Sequence, residues 1–428
     1  RIAADAGGGD AVADTSVDAE APDTGVDPDA PIAVDDCTAG TVFGDTITID
    51  EAATGGQLYA RTAWDTHGAW IVYNQPGADA FEEEIFLARV GCKGAVDVGP
   101  MRISAGEGER NYAPVIASRN GVTHVAWVTE PAGETQKHIV LRTFGADGEP
   151  LLDAPVDITP SVGDTPVSPT VWEPDVAVNA DGTGAIVATG HGIGERTVYL
   201  QRYAADGAVA GDAVALHPQP GVNQHRPTIA ASDDGTLYVG WIRDRDEDVE
   251  AGLPAEPSRA VLTSVPAGAN AIFPASPVAA KPLAEPTDTV RISKSAGSAG
   301  VHFAAFDVAP NIVVRDATDF ETGASQSTGS PGHLHFRPSV AGGEGGGVVA
   351  WYRYNETPQL GELMFAAFDF ADGTYVMHDA LHVATDGSGI PPYGPAVTWV
   401  AENVYFLAWS EGAGGPTATV KGRFVSVD

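Results

Sequence analysis

Short apolar runs separated by Gly, Asn and Asp recur from about residue 41 to the C-terminus. In Ala113-Pro-Val-Ile-Ala-Ser-Arg-Asn-Gly-Val-Thr-His-Val-Ala-Trp127, an apolar segment runs into an Asn-Gly turn and a second apolar segment ends on tryptophan. The same plan appears in Arg226–Trp241, Arg337–Trp351 and Gly394–Trp409, with weaker copies beginning near Gln57, Glu173 and Thr289. Runs of this length, rich in Val, Ile and aromatics and bounded by turn residues, predict strands paired as hairpins. A third strand ending in Asp-Gly follows in the clearer copies, at Ile139–Gly148, Val198–Gly207 and Leu363–Gly373. Asp-Gly supplies the positive φ of a tight hairpin, and an outer strand then runs out, as in Leu151–Ile158.

Four antiparallel strands per repeat make a propeller blade. The anchor prolines Pro114, Pro174, Pro227, Pro338 and Pro395 are 60, 53, 111 and 57 residues apart, and the gap of 111 accommodates two blades. With the copy near Gln57 the reading is an all-β, seven-bladed β-propeller over residues 41–428. Thr41–Ile49 is a strand with no partner before it, and Thr417–Asp428 is a third strand with no fourth. The N-terminal strand is therefore expected to complete the C-terminal blade and remove an exposed edge.

Residues 1–36 hold ten acids, one base and no aromatic residue, so they cannot bury enough apolar surface to offset ordering entropy. Residues 1–40 read as an extended acidic tether. Docking of the tether on another copy would give self-assembly. Across the chain 58 acids face 23 bases, a net charge of −35, which argues against nucleic acid or an anionic membrane as partner. No apolar run approaches the roughly 18 residues of a transmembrane helix. Cys37 and Cys92 are the two cysteines; two thiols, a metal pair or one disulfide are all open. Their expected placement beside the closing strand and in the outer turn of the first blade favours the disulfide, and with it an oxidising compartment.

The upper face, where each first strand begins and each second strand ends, surrounds the mouth of the central channel. Its expected ligand-facing residues are Arg110, Tyr112, Trp172, His225, Arg226, His333, His335, Arg337 and Tyr393, with Glu130, Asp244, Asp307 and Glu411 at the ends of second strands. His333, His335 and His225 offer nitrogen ligands to a metal, although solvated loop histidines account for them more simply. Arg226 and Arg337 suit an anion clamp. Asp244, Asp246 and Asp248 concentrate carboxylates of the kind that hold calcium, the one cofactor suggested; none is required. Trp127, Trp241, Trp351 and Trp409 recur at one repeat position, as inter-blade packing demands. Trp64, Trp70, Trp172 and Trp399 are better placed for exposure.

The sequence contains no Gly-x-Ser-x-Gly elbow, His-Glu-x-x-His or phosphate-binding loop, and no Ser-x-Asp-x-Gly-x-x-Trp box. The repeat Pro-x-[Val/Ile]-Ala…Gly…Val-Ala-Trp, followed by [Ile/Val]-x-Leu-x-Arg-[Phe/Tyr]-x-Ala-Asp-Gly, resembles the repeats of large secreted bacterial β-propeller proteins. The acidic segment resembles the spacers that follow the lipid-bearing cysteine of bacterial surface lipoproteins. These resemblances imply an extracellular or outer-surface location for a chain that opens on Arg1. The acidic tether, the repeat and the absent catalytic motifs together point to a non-catalytic binding or assembly module, with a protein–protein or surface-scaffold role ahead of glycan binding. The alternative is a lectin-like propeller, or a polysaccharide hydrolase or lyase with its site on the upper face.

Overall fold

The computed structural model describes residues 44–52, 59–77, 82–104, 108–163, 165–191, 195–218, 221–245, 255–267, 281–282, 287, 289–294, 302–308, 311–317, 334–343, 345–356, 359–372, 374–386, 394–412 and 418–427. The chain divides into two compact units, Arg1–Pro31 and Ile32–Asp428, and every described residue belongs to the second. The acidic segment, Cys37, Asp246, Asp248, His333 and Tyr393 lie outside the described residues.

Among the described residues there is no helix, and the strands fall into seven antiparallel groups plus a small hairpin at Ser161–Val162 and Thr165–Pro166. The first group is Arg61–Asp65, Gly68–Pro76, Glu83–Val90 and Val96–Arg102; the second is Arg110–Arg119, Val122–Glu130, His138–Phe144 and Val156–Asp157. A single parallel pair, Glu83 with Arg110, joins these two. The third is Val171–Val178, Gly184–His191, Arg196–Tyr203 and Val214–Ala215, and the fourth is Asn223–Ala231, Leu237–Arg245, Glu256–Val265 and Lys281–Pro282. The fifth has three described strands, Val290–Ile292, Phe303–Val308 and Asn311–Asp316. In the sixth, Leu334–Gly343, Gly346–Glu356 and Gln359–Ala371 are followed by Thr374–Met377 and Leu381–Asp386, both paired to Gln359–Ala371. The seventh joins Ala396–Ala401, Val404–Glu411 and Ala418–Ser426 to the N-terminal strand Ile47–Ala52.

The first strands of the groups pack in chain order, and Ala396–Ala401 of the seventh returns to pack on Arg61–Asp65 of the first. Among the described residues, seven apolar clusters fill the spaces between successive groups, one of them lying between the seventh and the first. Second strands are therefore apolar on both faces, and the alternation of side chains chooses which neighbour each residue meets. Trp127, Trp241, Trp351 and Trp409 all face the preceding group and are buried, as their recurrence predicts. Trp70 corrects the expectation of exposure. It is 0 % exposed, because it sits at the opposite parity and fills the cluster toward the second group, with its indole N–H donating to Asp65 (2.6 Å). Trp64, Trp172 and Trp399 are half-buried.

Ile47–Ala52 pairs antiparallel with Ala418–Ser426, so the two ends of the described chain share one sheet. Asp50 on that strand accepts hydrogen bonds from the Tyr73 hydroxyl (2.7 Å) and the Gln75 amide, both on the first group. Ile49, Phe406, Phe424, Tyr73 and Cys92 are buried together across this junction. Cys92 is not a free thiol.

Candidate functional site

Five of the repeats begin on an X-Pro pair, and four of these carry a β-bulge there. Register slips by one residue between Tyr112 and Val115, Trp172 and Asp175, His225 and Thr228, and Phe336 and Ser339. At each bulge X is a non-glycine residue at positive φ: Ala113 (52°), Glu173 (51°), Arg226 (52°) and Arg337 (57°). Left-handed backbone is uncommon for such residues, and a bulge turns a side chain away from the direction regular pleating would give it. In the fifth such pair, Gly394-Pro395, a Cβ on Gly394 would stand 2.5 Å from the Arg337 carbonyl oxygen, so glycine lets the sixth repeat approach closely.

The bulges ring a cavity of about 570 Å³, lined by residues from all seven groups. Its ionisable lining is Arg61, Arg226, Arg291, Lys294 and Arg337 against Glu173, Asp175 and Asp307. Five cations against three acids leave a surplus of two positive charges, in a chain whose net charge is −35. The acids are engaged by neighbouring strands. Glu173 accepts from the Arg226 backbone N–H (2.7 Å) and the Thr189 hydroxyl (3.3 Å). Asp307 accepts from the Thr289 N–H (2.6 Å) and the Thr287 hydroxyl (2.9 Å).

Asp175 accepts from the Thr228 hydroxyl (3.0 Å) and the Ile229 N–H (2.9 Å) through one oxygen, and from the Lys294 ammonium (2.7 Å) through the other. Lys294 also donates to the carbonyl oxygens of Val176 (2.9 Å) and Ile229 (2.7 Å). Burial pushes its pKa down, Asp175 pulls it back up, and Arg291 and Arg61 push it down again. Arg291 donates to the Val290 carbonyl oxygen (3.2 Å) and has no ion pair to a carboxylate among the described residues.

Of the residues singled out from sequence, Arg226, Arg337 and Asp307 line this cavity. Arg110 and Tyr112 lie outside it: Arg110 pairs with Glu83 (3.0 Å) and stacks over Tyr112, whose hydroxyl accepts from Lys137. Lys137 also pairs with Glu130 (3.5 Å), and Glu411 holds Lys421 and the Trp409 indole N–H. Trp172 contacts His191 and Arg196 at the side of the third group. His225 is bound to Asp244 (2.8 Å). His335 is 3 % exposed and its Nδ1 accepts the Trp351 indole N–H (2.7 Å), so it faces the core rather than His225. No group of three or more His, Cys, Asp or Glu with metal-holding geometry occurs among the described residues.

Arg61, Asp175, Arg291 and Lys294 went unnoticed in the sequence. The signal for two of them is the position after the anchor proline: Val115, Asp175, Thr228, Arg291, Ser339 and Ala396 align there and all line the cavity.

No family model matches the chain, and no curated protein matches it. Solved structures do. A protein of unknown function from Dyadobacter fermentans DSM 18053 aligns with a TM-score of 0.54 at 7 % identity, over 91 % of this chain and 100 % of its own. The phage phi92 endosialidase aligns with a TM-score of 0.51 at 8 % identity, over 90 % and 69 %. The fold is that of a β-propeller. A Penicillium chrysogenum alpha-L-arabinanase complexed with arabinobiose also matches, at 12 % identity and a TM-score of 0.48, over 90 % of this chain and 99 % of its own. At these identities the likeness extends to the propeller fold alone. No helix among the described residues is long and apolar enough to cross a membrane.

Proposed function

We propose that this protein is an extracellular, seven-bladed, closed β-propeller that binds an acidic saccharide in the central cavity. The observation that carries the reading is the convergence of Arg61, Arg226, Arg291, Lys294 and Arg337 on one concave site of an otherwise strongly acidic chain. A cleft of one sign with low-dielectric walls focuses its field, and guanidinium groups match carboxylates in two-point contacts. The prolines and valines between the cations supply the apolar surface that sugar-ring faces prefer. An endosialidase shares the fold, but the reading rests on the cavity itself.

Arg291→Ala is expected to weaken binding of carboxylate-bearing oligosaccharides at least tenfold, about 1.4 kcal/mol. Isothermal titration of the purified protein against acidic and neutral glycans, at two salt concentrations, checks this. Equal binding of neutral and acidic glycans, or an unaffected Arg291→Ala variant, would remove the proposal. A second reading, cleavage of the bound saccharide, is favoured by the half-buried Glu173 carboxylate beside Arg226 in the cavity. Product analysis after prolonged incubation separates catalysis from binding.

We also propose that Cys92 pairs with Cys37, fastening the acidic segment beside the closing strand. Denatured protein is expected to take up iodoacetamide at two thiols only after reduction, as read by mass. Labelling of two thiols without reductant would rule the pairing out.

A further inference from the structure

We infer that the cavity receives one terminal acidic sugar, at a chain end or branch tip, and excludes internal stretches of a polymer; this rests on the acidic-saccharide reading above. The reason is the floor. The Lys294 side chain leaves the fifth group and crosses to the third, where it meets Asp175 and the Val176 carbonyl, and touches the Ile229 carbonyl of the fourth on the way. Its ammonium thus bridges the inner strands of three neighbouring groups on the cavity lining, with 28 % of the side chain exposed.

A second barrier lies beyond it. Arg119, at the far end of the second group's first strand, donates to the Ser232 carbonyl oxygen (3.4 Å) and pairs with Asp233, both just past the end of the fourth group's first strand. Asn120 donates to the Ala180 carbonyl oxygen (2.9 Å) at the matching turn of the third. Turns of three successive groups are therefore tied together below the Lys294 crossing. These ties, at two levels and across the second to fifth groups, narrow the passage that a threading polymer would need.

A concave pocket of about 570 Å³ suits a ligand of one or two rings. Charge placement agrees with this, since Arg291 and Arg337 both line the cavity that the carboxylate of an inserted ring would enter. The residues that close the floor are already satisfied by one another, so they offer a wall and not a path.

The test uses oligogalacturonate, oligoglucuronate and oligosialate series of defined length, from monomer to about thirty residues, titrated into the whole protein. For the series that binds, isotherms are expected to superimpose when plotted against the concentration of chain ends, and the free monomer should displace the longest oligomer completely. Superposition on the concentration of sugar residues would overturn the inference, as would a minimum competing length of three rings or more, while leaving the acidic-saccharide reading intact. Failure of all three series to bind would overturn both together.

Discussion

Replacing Lys294 by methionine is expected to lower the free energy of unfolding by about 1–3 kcal/mol, the cost of leaving the buried Asp175 carboxylate without the half-buried ammonium that pairs with it. All three ammonium protons are committed, to Asp175, the Val176 carbonyl and the Ile229 carbonyl, and this geometry requires the charged form. Methionine matches the length and apolar stem of lysine, so the change isolates the ammonium. It leaves one Asp175 oxygen and two carbonyl oxygens without their donor, and each unsatisfied acceptor that stays out of water adds to the penalty. Three strand groups lose their common tie at once. The readout is a lower urea midpoint at unchanged slope. The exposed Lys93, changed in the same way, should move stability by no more than about 0.5 kcal/mol. Adding Asp175→Leu to Lys294→Met should restore part of the loss, because the carboxylate that was stranded is then absent. A midpoint unchanged in the single variant would show that the crossing bears no weight in the fold.

The strand pattern was legible because each repeat carries its own punctuation. Asn120-Gly121, Asp147-Gly148 and Asp206-Gly207 mark hairpin turns, and Gly121, Gly148 and Gly207 adopt the positive φ that those turns need. The pairing of Ile47–Ala52 with Ala418–Ser426 followed from two unpartnered strands at opposite ends of the chain. Trp70 departs from the expected exposure for a physical reason. A surface strand buries one face only, so an off-pattern tryptophan on it would point to solvent; a second strand packed between two blades has no solvent face. Tyr73 fills the place that Trp127 fills in the next repeat, and Trp70 faces the other neighbour.

The site was less legible, because its geometry depends on the bulges. Plain alternation sends His335 and Arg337 to the same side; the slip between Phe336 and Ser339 parts them, putting Arg337 in the cavity and His335 against Trp351. A signal existed in the spacing. Asn111 and His335 both stand sixteen residues before a core tryptophan, and both accept its indole N–H. Arg291 was hidden by its repeat, which lacks the anchor proline, and Lys294 by its position past the end of a strand. Side chains that cross a channel cannot be placed from local pattern.

Acidification is expected to remove about 3 kcal/mol of stability through His124 alone between pH 6.5 and 4. His124 is 0 % exposed, in the second strand of the second group, with Nδ1 at 3.0 Å from the Thr143 hydroxyl and its ring against Tyr203 of the third. Burial pushes its pKa down to about 4 from the ordinary 6.5, a backbone hydrogen bond at Gly182 opposing this in part. The folded chain thus keeps the ring neutral where the unfolded chain protonates it. Stability is full above pH 6.5, falls as the unfolded state takes up a proton, and stops falling on this account below about pH 4, where both states carry it. His302 and His217, lowered by burial as well, act in the same direction. Carboxylates that titrate in the same range contribute their own slope, so the comparison is with His124→Gln, which can keep the Thr143 contact and cannot titrate. The variant should lose about 3 kcal/mol less than the parent over that interval. The ring proton of His124 should show no titration shift above pH 5 by NMR, a readout that stands even if the variant folds poorly. A midpoint near 6.5 for that resonance would mean that the space between the second and third blades admits water and charge, and the drop in stability would then have to come from elsewhere.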